Sequence, residues 1–306
     1  MANVELEKAR VRRSGKGDYR RTILAVSLIL LVLFGFIAFL NLIDSLKLGF
    51  RPDQRSMDRF LDWLVIAILG FIGPYGFYLA KKQREIKQIE RRLPDFLRDV
   101  AEAGRFGMTL AEAIVVSSSG RYGKLTPEIK KMAAQITWGV PAAEALRLFA
   151  ERVKTPMIQR IVAIIVKSSD AGGDVADVLT MVSHDTKENQ LTDDERRIAM
   201  STYIAVIYIS FLVFLVTIWI LNVTFLPKML EASGALENTG SVIASPLADN
   251  LKEVVYNIRI AFFIATIVHG LGDGVLAGVL DTGKIPNGLR HSFIMLLIAL
   301  FAFLII

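Results

Sequence analysis

From Leu93 to Arg197 the chain alternates short apolar-patterned segments with glycine-bearing turns, and one pattern occurs three times. Gly107-Met-Thr-Leu-Ala-Glu112-Ala-Ile114 is echoed by Gly139-Val-Pro-Ala-Ala-Glu144-Ala-Leu146 and by Gly172-Gly-Asp-Val-Ala-Asp177-Val-Leu179. The copies begin roughly 33 residues apart, the period of a supersecondary repeat. In each, the glycine can take the left-handed conformation that ends a helix. Two residues on comes a helix start: Thr109, which forms a capping box with Glu112, then Pro141, then Asp174. Apolar positions follow at i, i+3, i+4 and i+7, with Ser117 the polar exception. Each segment therefore predicts a helix with one buried face.

A helix also precedes each glycine. Pro94 to Arg105 carries Phe96, Leu97, Val100 and Ala101 on one side. Thr126-Pro127 opens a helix bearing Ile129, Met132, Ala133 and Ile136. Thr155-Pro156 opens another, whose run Ile161-Val-Ala-Ile-Ile-Val166 is apolar nearly all round and so central. The prediction is a six-helix bundle of three αα-hairpins, enough to enclose one small core. Nothing in the repeat speaks for catalysis.

Strongly apolar segments flank this region. Thr22 to Leu40 is uncharged and long enough to cross ~30 Å of hydrocarbon at ~1.5 Å per residue. Asn41-Leu-Ile-Asp44 offers no small-residue cleavage site, so the segment reads as an uncleaved anchor. Trp63 to Ala80 is a second span, where Gly70, Gly73, Pro74 and Gly76 predict a kink. Lys81 to Arg92 continues it as a charged helical extension. Thr192-Asp-Asp-Glu195 reads as a second capping box opening a helix into a third span, Ser201 to Leu226, which Pro227 should end. Leu230 to Asn250 has no period and reads as a loop. Ile260 to Leu280 and Ser292 to Ile306 complete five spans, the last reaching across only with help from Gly288 and Leu289 or by local thinning of the bilayer.

Composition agrees with an all-α membrane protein: 53% of residues are hydrophobic, and the mean hydropathy is +0.46. The expected organisation is a basic arm over 1–21, two spans within 22–80 and a helical bundle over 81–200. A span over 201–226, an external loop over 227–257 and two spans within 258–306 follow. The chain has no Cys, which excludes disulfides, thiolate metal sites and cysteine nucleophiles.

The net charge of +6 is small, but its distribution is informative. Seven Lys or Arg lie in the first 21 residues and twenty within 81–200, whereas 227–257 holds only Lys228 and Lys252. The positive-inside rule puts the amino terminus and the bundle in the cytoplasm and the 227–257 loop outside, with the basic 44–59 loop running against it. The arm Arg10-Val-Arg-Arg13 directly precedes a membrane helix, so it suits anionic lipid headgroups rather than nucleic acid. Within the bundle, antiparallel pairing sends alternate loops to opposite ends. The connections 120–125 and 153–155 should share one end, carrying Arg121, Lys124 and Lys154.

Three motifs compete for chemistry. Gly278-Val-Leu-Asp-Thr-Gly283-Lys284 approaches a phosphate-binding loop, but Ile285 stands where a magnesium-binding Ser or Thr belongs. Gly270-Leu-Gly272-Asp273 resembles the signature of intramembrane aspartyl proteases such as prepilin peptidases, making Asp273 the catalytic alternative. That chemistry needs two carboxylates sharing a proton, and the one nearby in sequence is Asp281, two turns along the same helix. The packing reading is preferred. Gly270, Gly274 and Gly278 form a small-residue ridge, on which alanine should be tolerated at 274 and leucine not, and His269 should pair with Asp273. The three histidines lie in different segments, so no metal or cofactor is expected.

The block Leu93-Pro-Asp-Phe-Leu-Arg-Asp-Val-Ala-Glu-Ala-Gly104, the first two repeat copies and Ser168-Ser-Asp-Ala-Gly-Gly173 resemble the type II secretion system F domain. The tail Leu276-Ala-Gly-Val-Leu with Gly288-Leu-Arg-His-Ser-Phe-Ile-Met295 is most similar to archaeal members. That family supplies inner-membrane platform proteins of type II secretion, type IV and tight-adherence pili and the archaeal flagellum. The resemblance implies a non-enzymatic platform in the cell membrane that couples a cytoplasmic secretion ATPase to assembly of pilin-like subunits. It also implies that the ATPase docks on the bundle, for which the basic end with Arg121, Lys124 and Lys154 is the expected site. Many such proteins hold two F domains and this chain holds one, which implies a second F-domain subunit or a homodimer. Asp273 in the glycine ridge departs from archaeal tails.

Overall fold

A computed structural model describes residues 2–50, 55–237 and 244–305, and every regular element among them is helical. In order these are α1 (Ala2–Leu42), α2 (Ser56–Arg105), α3 (Leu110–Ser117), α4 (Thr126–Thr137), α5 (Ala142–Val153), α6 (Pro156–Asp170), α7 (Val175–Ile220), α8 (Leu226–Glu237), α9 (Ala244–Thr282) and α10 (Gly288–Ile305). The chain forms two compact units, Lys81–Ile198 and the combination of Met1–Ala80 with Ala199–Ile306. Helices α2 and α7 contribute a segment to each.

In the unit Lys81–Ile198, six helical segments close around one core. Phe96, Ile114, Ile129, Met132, Phe149, Ile158 and Ile165 are buried in it, all at positions that the helical period places on inner faces. Each such side chain contributes roughly 1.5–3 kcal/mol on burial. The segments run antiparallel. Arg152 at the end of α5 reaches Glu128 at the start of α4 (2.9 Å), and Arg105 at the end of α2 meets Asp177 at the start of α7 (3.7 Å).

The three repeat turns share one backbone. Gly107, Gly139 and Gly172 have φ of +86°, +90° and +69°. Each donates its N–H three residues back, to Gly104, Ile136 and Ser169, while the next residue reaches five back, to Ala103, Gln135 and Ser168. That double bond is the Schellman motif. Helix starts follow the sequence as well. Thr109 and Glu112 form a reciprocal capping box, Thr155 caps Ile158, and Asp174 caps Ala176 and Asp177.

Four expectations are corrected. First, α2 is unbroken through Pro94. The proline leaves the Glu90 carbonyl without its helical donor, and the Gln190 side chain supplies one (2.9 Å). Second, Thr192-Asp-Asp-Glu195 opens nothing, because α7 is continuous there. Asp194 instead bridges to Lys87 (3.2 Å) and Arg91 (3.6 Å). Third, Pro227 does not end the helix. A π-turn over Leu221–Phe225, closed by Leu226 N–H donating to the Leu221 carbonyl, absorbs the mismatch before α8 begins. Fourth, 230–250 is largely helical, with α8 running to Glu237 and α9 starting at Ala244; residues 238–243 lie outside the described residues.

In the other unit, α2, α7, α9 and α10 bury Leu61, Val65, Ile218, Phe263, Leu296 and Phe303 together. Helix α1 packs on α2 through Phe34 and Trp63, stacked at 6.0 Å, and leaves Ile29, Val32 and Phe36 exposed as suits a lipid solvent. The glycines of the expected kink also seat neighbours, and α2 stays helical through them. A β-carbon on Gly70 would touch Leu30 and Phe34 of α1 at 3.4 Å, and one on Gly73 would stand 2.8 Å from the Phe293 ring of α10. Among the described residues, five helices are long and apolar enough to cross a membrane. The last gains Gly288 and Leu289, so its 18 residues give about 27 Å. The chain is an all-α, multi-pass membrane protein.

Candidate functional site

Two places carry the residues that sequence singles out. One is the α9–α10 contact. A β-carbon on Gly274 would stand 2.2 Å from Ser292 Cα, and one on Gly278 would stand 2.1 Å from Gly288 Cα. Gly270 is looser, with the Phe211 ring and Leu296 at 3.4–3.6 Å. The two backbones thus meet over Gly274 and Gly278, and Ser292 Oγ donates to the Leu271 carbonyl (3.0 Å) across the contact. Alanine at 274 would collide with main chain rather than with a mobile side chain, so the expected tolerance is withdrawn.

Polar groups line this contact. His269 lies 3.3 Å from Asp273 and packs against the rings of Phe211 and Phe214. Asp281 pairs with Arg290 (3.7 Å), and Tyr208 is hydrogen-bonded to His291 (2.8 Å). Asp273 and Asp281 are eight helical positions apart, about 12 Å of rise. Each faces a basic partner rather than a second carboxylate, so they form no proton-sharing dyad. The phosphate-loop reading fails on space, because Gly278 is filled against Gly288. Among the described residues no cluster of His, Asp or Glu could hold a metal ion.

The second place is the pair of loop ends of Lys81–Ile198. Lys124 pairs with Glu85 (3.5 Å), Arg121 is exposed, and Lys154 ends α5 in a left-handed conformation at φ +56°. Behind them, burial pushes the Glu128 carboxyl up, but hydrogen bonds from Lys131 and Arg152 outweigh it and hold the group below the usual carboxylate range. Tyr122 is buried, donating to Asp99 and to the Ser117 carbonyl. Burial first, and then the Asp99 carboxylate, raise its pKa well above the ordinary phenol value. The opposite end exposes Phe106 and Trp138, which sequence reasoning passed over; the only signal was their shared place, one residue before a turn glycine.

The family model of type II secretion system protein F matches residues 96–222, from the core residue Phe96 to the π-turn in the third span. Two relatives come from Methanocaldococcus jannaschii. An uncharacterised protein is 29% identical over 259 residues, 82% of this chain and 40% of its own length. The flagella accessory protein J is 25% identical over 126 residues, 40% of this chain and 22% of its own. The chain thus spans less than half the length of either relative. No solved structure matches it. The three Schellman turns, most of the core they enclose and most of the span that follows fall within residues 96–222, the part of the chain that is similar to the type II secretion system protein F family.

Proposed function

We propose that the chain is a membrane platform subunit of a pilus-like or secretion-like assembly machine, coupling a cytoplasmic ATPase to assembly of pilin-like subunits. The observation that carries this reading is the F domain at 96–222 joined to five membrane-length helices. The similarity to a flagella accessory protein favours an archaeal filament as the product. In this reading the amino terminus and the unit Lys81–Ile198 face the cytoplasm. Arg121, Lys124 and Lys154 receive an acidic ATPase surface by charge steering, and a second F-domain subunit or a second copy completes the platform. The role is structural and non-enzymatic. Gly270, Gly274 and Gly278 serve it by fixing α9 on α10.

The test is co-purification of the full chain in detergent with a secretion ATPase and pilin-like proteins from its own cells, together with deletion. Loss of filaments or secretion on deletion, and recovery of the ATPase with the chain, are the expected results. A deletion strain that still assembles filaments would end the reading. On this reading Asp273→Asn should leave prepilin processing intact, whereas the aspartyl protease alternative predicts accumulation of unprocessed pilin.

A further inference from the structure

The end of the Lys81–Ile198 unit that carries the three Schellman turns holds an aromatic pair that the fold does not use. Phe106 is 85% exposed and Trp138 is 84% exposed. Both occupy the same repeat position, the last residue before the left-handed glycine, where the third copy has Ala171. The Schellman turn itself asks for an apolar residue just after the glycine, and Met108 and Val140 fill that role. Nothing in the turn asks for Phe or Trp before it. The turns are also held in place relative to one another. Arg105 meets Asp177 at 3.7 Å, a β-carbon on Gly104 would lie 3.1 Å from Ala176 Cβ, and Arg147 reaches Asp170 at 3.4 Å.

Charge says what could cover these rings. Within seven residues of the three glycines the sequence carries six acids against two bases, Arg105 and Lys167, and the Arg98 and Arg147 that pair with Glu102 and Asp170 bring the balance to −2. An anionic lipid surface would be repelled from such an end, and so would the same end of a second copy. A protein face with apolar recesses edged by Lys and Arg fits both the rings and the charge. Trp and Tyr dominate binding energy at interface centres, where rigid aromatic anchors fill pockets inside a charged rim.

We propose that this end is a protein-docking surface anchored by Trp138 and Phe106, whose partner presents a basic-rimmed apolar cleft. The surface is distinct from the basic end at Arg121, Lys124 and Lys154, and it stands whether or not an ATPase binds there.

The test places a photo-crosslinking phenylalanine analogue at position 106, 138 or, as an exposed control on α7, 181, in the full chain in its own cells. Adducts are identified by mass spectrometry. Positions 106 and 138 should give one shared protein, joined through a peptide flanked by Lys or Arg, and position 181 should not. Adding Glu102→Lys and Glu144→Lys, both exposed and outside the core cluster, should lower that yield at least about fivefold, roughly 1 kcal/mol. Trp138→Ala should lower co-purification of the same protein with the melting temperature unchanged. Adducts with lipid or with a second copy, no adduct above the control, or a yield indifferent to the charge reversals would each overturn the proposal. Capture of the ATPase itself, with that charge dependence, would support the surface and move the motor away from the basic end.

Discussion

The side-chain amide of Gln190 donates to the main-chain carbonyl of Glu90 at 2.9 Å. That carbonyl lies four residues before Pro94, the one position in the turn that cannot supply a helical N–H. Nearby, Ser183 Oγ donates to the Pro94 carbonyl at 2.9 Å. Helix α7 thus replaces the bond that the proline removes from α2. Gln190→Ala should destabilise the unit by about 1 kcal/mol, the net worth of such a bond. The loss should shrink in a Pro94→Ala background, where residue 94 regains its N–H. A double-mutant cycle of unfolding free energies reads the difference, and equal losses in both backgrounds would separate the two residues.

The ridge on α9 yields a sharper prediction than sequence allowed. Gly274→Ala and Gly278→Ala each press a β-carbon onto main chain of α10, so each should destabilise by about 1–3 kcal/mol, as overpacking does. Gly272→Ala meets nothing within 4 Å and should be neutral. Thermal melts in one detergent compare the three. Similar melting temperatures for all of them would place α10 farther from α9.

What was legible in the sequence was local. The repeat glycines, Thr109 with Glu112 and the i, i+3, i+4 faces are set by neighbours within a few residues, and the structure keeps them. What was not legible depends on partners far along the chain. Pro94 looked like a boundary because Gln190, nearly a hundred residues on, cannot be paired with it by spacing alone. At Gly73 and Gly76 glycine signals both backbone freedom and close approach, and the latter needs Phe293 and Leu289 in view. At the ridge the spacing revealed the face but not how near Ser292 would come.

Acid should loosen the Lys81–Ile198 unit. Despite burial, hydrogen bonds from Lys131 and Arg152 lower the Glu128 pKa; that of Asp194 is lowered chiefly by Lys87, and that of Glu112 by Thr109. A carboxyl whose folded pKa lies below its unfolded one adds stability that is complete above the unfolded value. That stability is lost as pH falls through the folded value. Stability should therefore be flat near neutrality and decline below about pH 4.3, the ordinary Glu value. Glu128→Gln should flatten the decline, measured as denaturant midpoints against pH. An unchanged slope would remove Glu128 from the linkage.

Membrane orientation is open to a two-point measurement. A reporter inserted after Gly123 should be cytoplasmic and one fused after Leu236 external, since 81–200 holds twenty Lys or Arg and 227–257 only two. The third span lies between them, so the same side for both would break the five-span topology.

The basic end gives the last prediction. Arg121 and Lys154 are exposed at loop positions, and Lys124 holds Glu85 through a half-exposed ion pair, an interaction worth at most about 1 kcal/mol. Reversing all three to Glu therefore leaves the core cluster intact. It faces Glu85 with a second carboxylate but removes no buried group. The formal charge of this end changes by six, since each reversal exchanges +1 for −1, so an acidic partner would be repelled where it had been attracted. ATPase pull-down by the full chain should fall at least about tenfold, or ~1.4 kcal/mol, and wild-type binding should itself weaken with added salt. Helicity and melting temperature report whether the bundle survives. Undiminished pull-down with the fold intact would shift the ATPase to another surface, and the end bearing Trp138 would be the next to test.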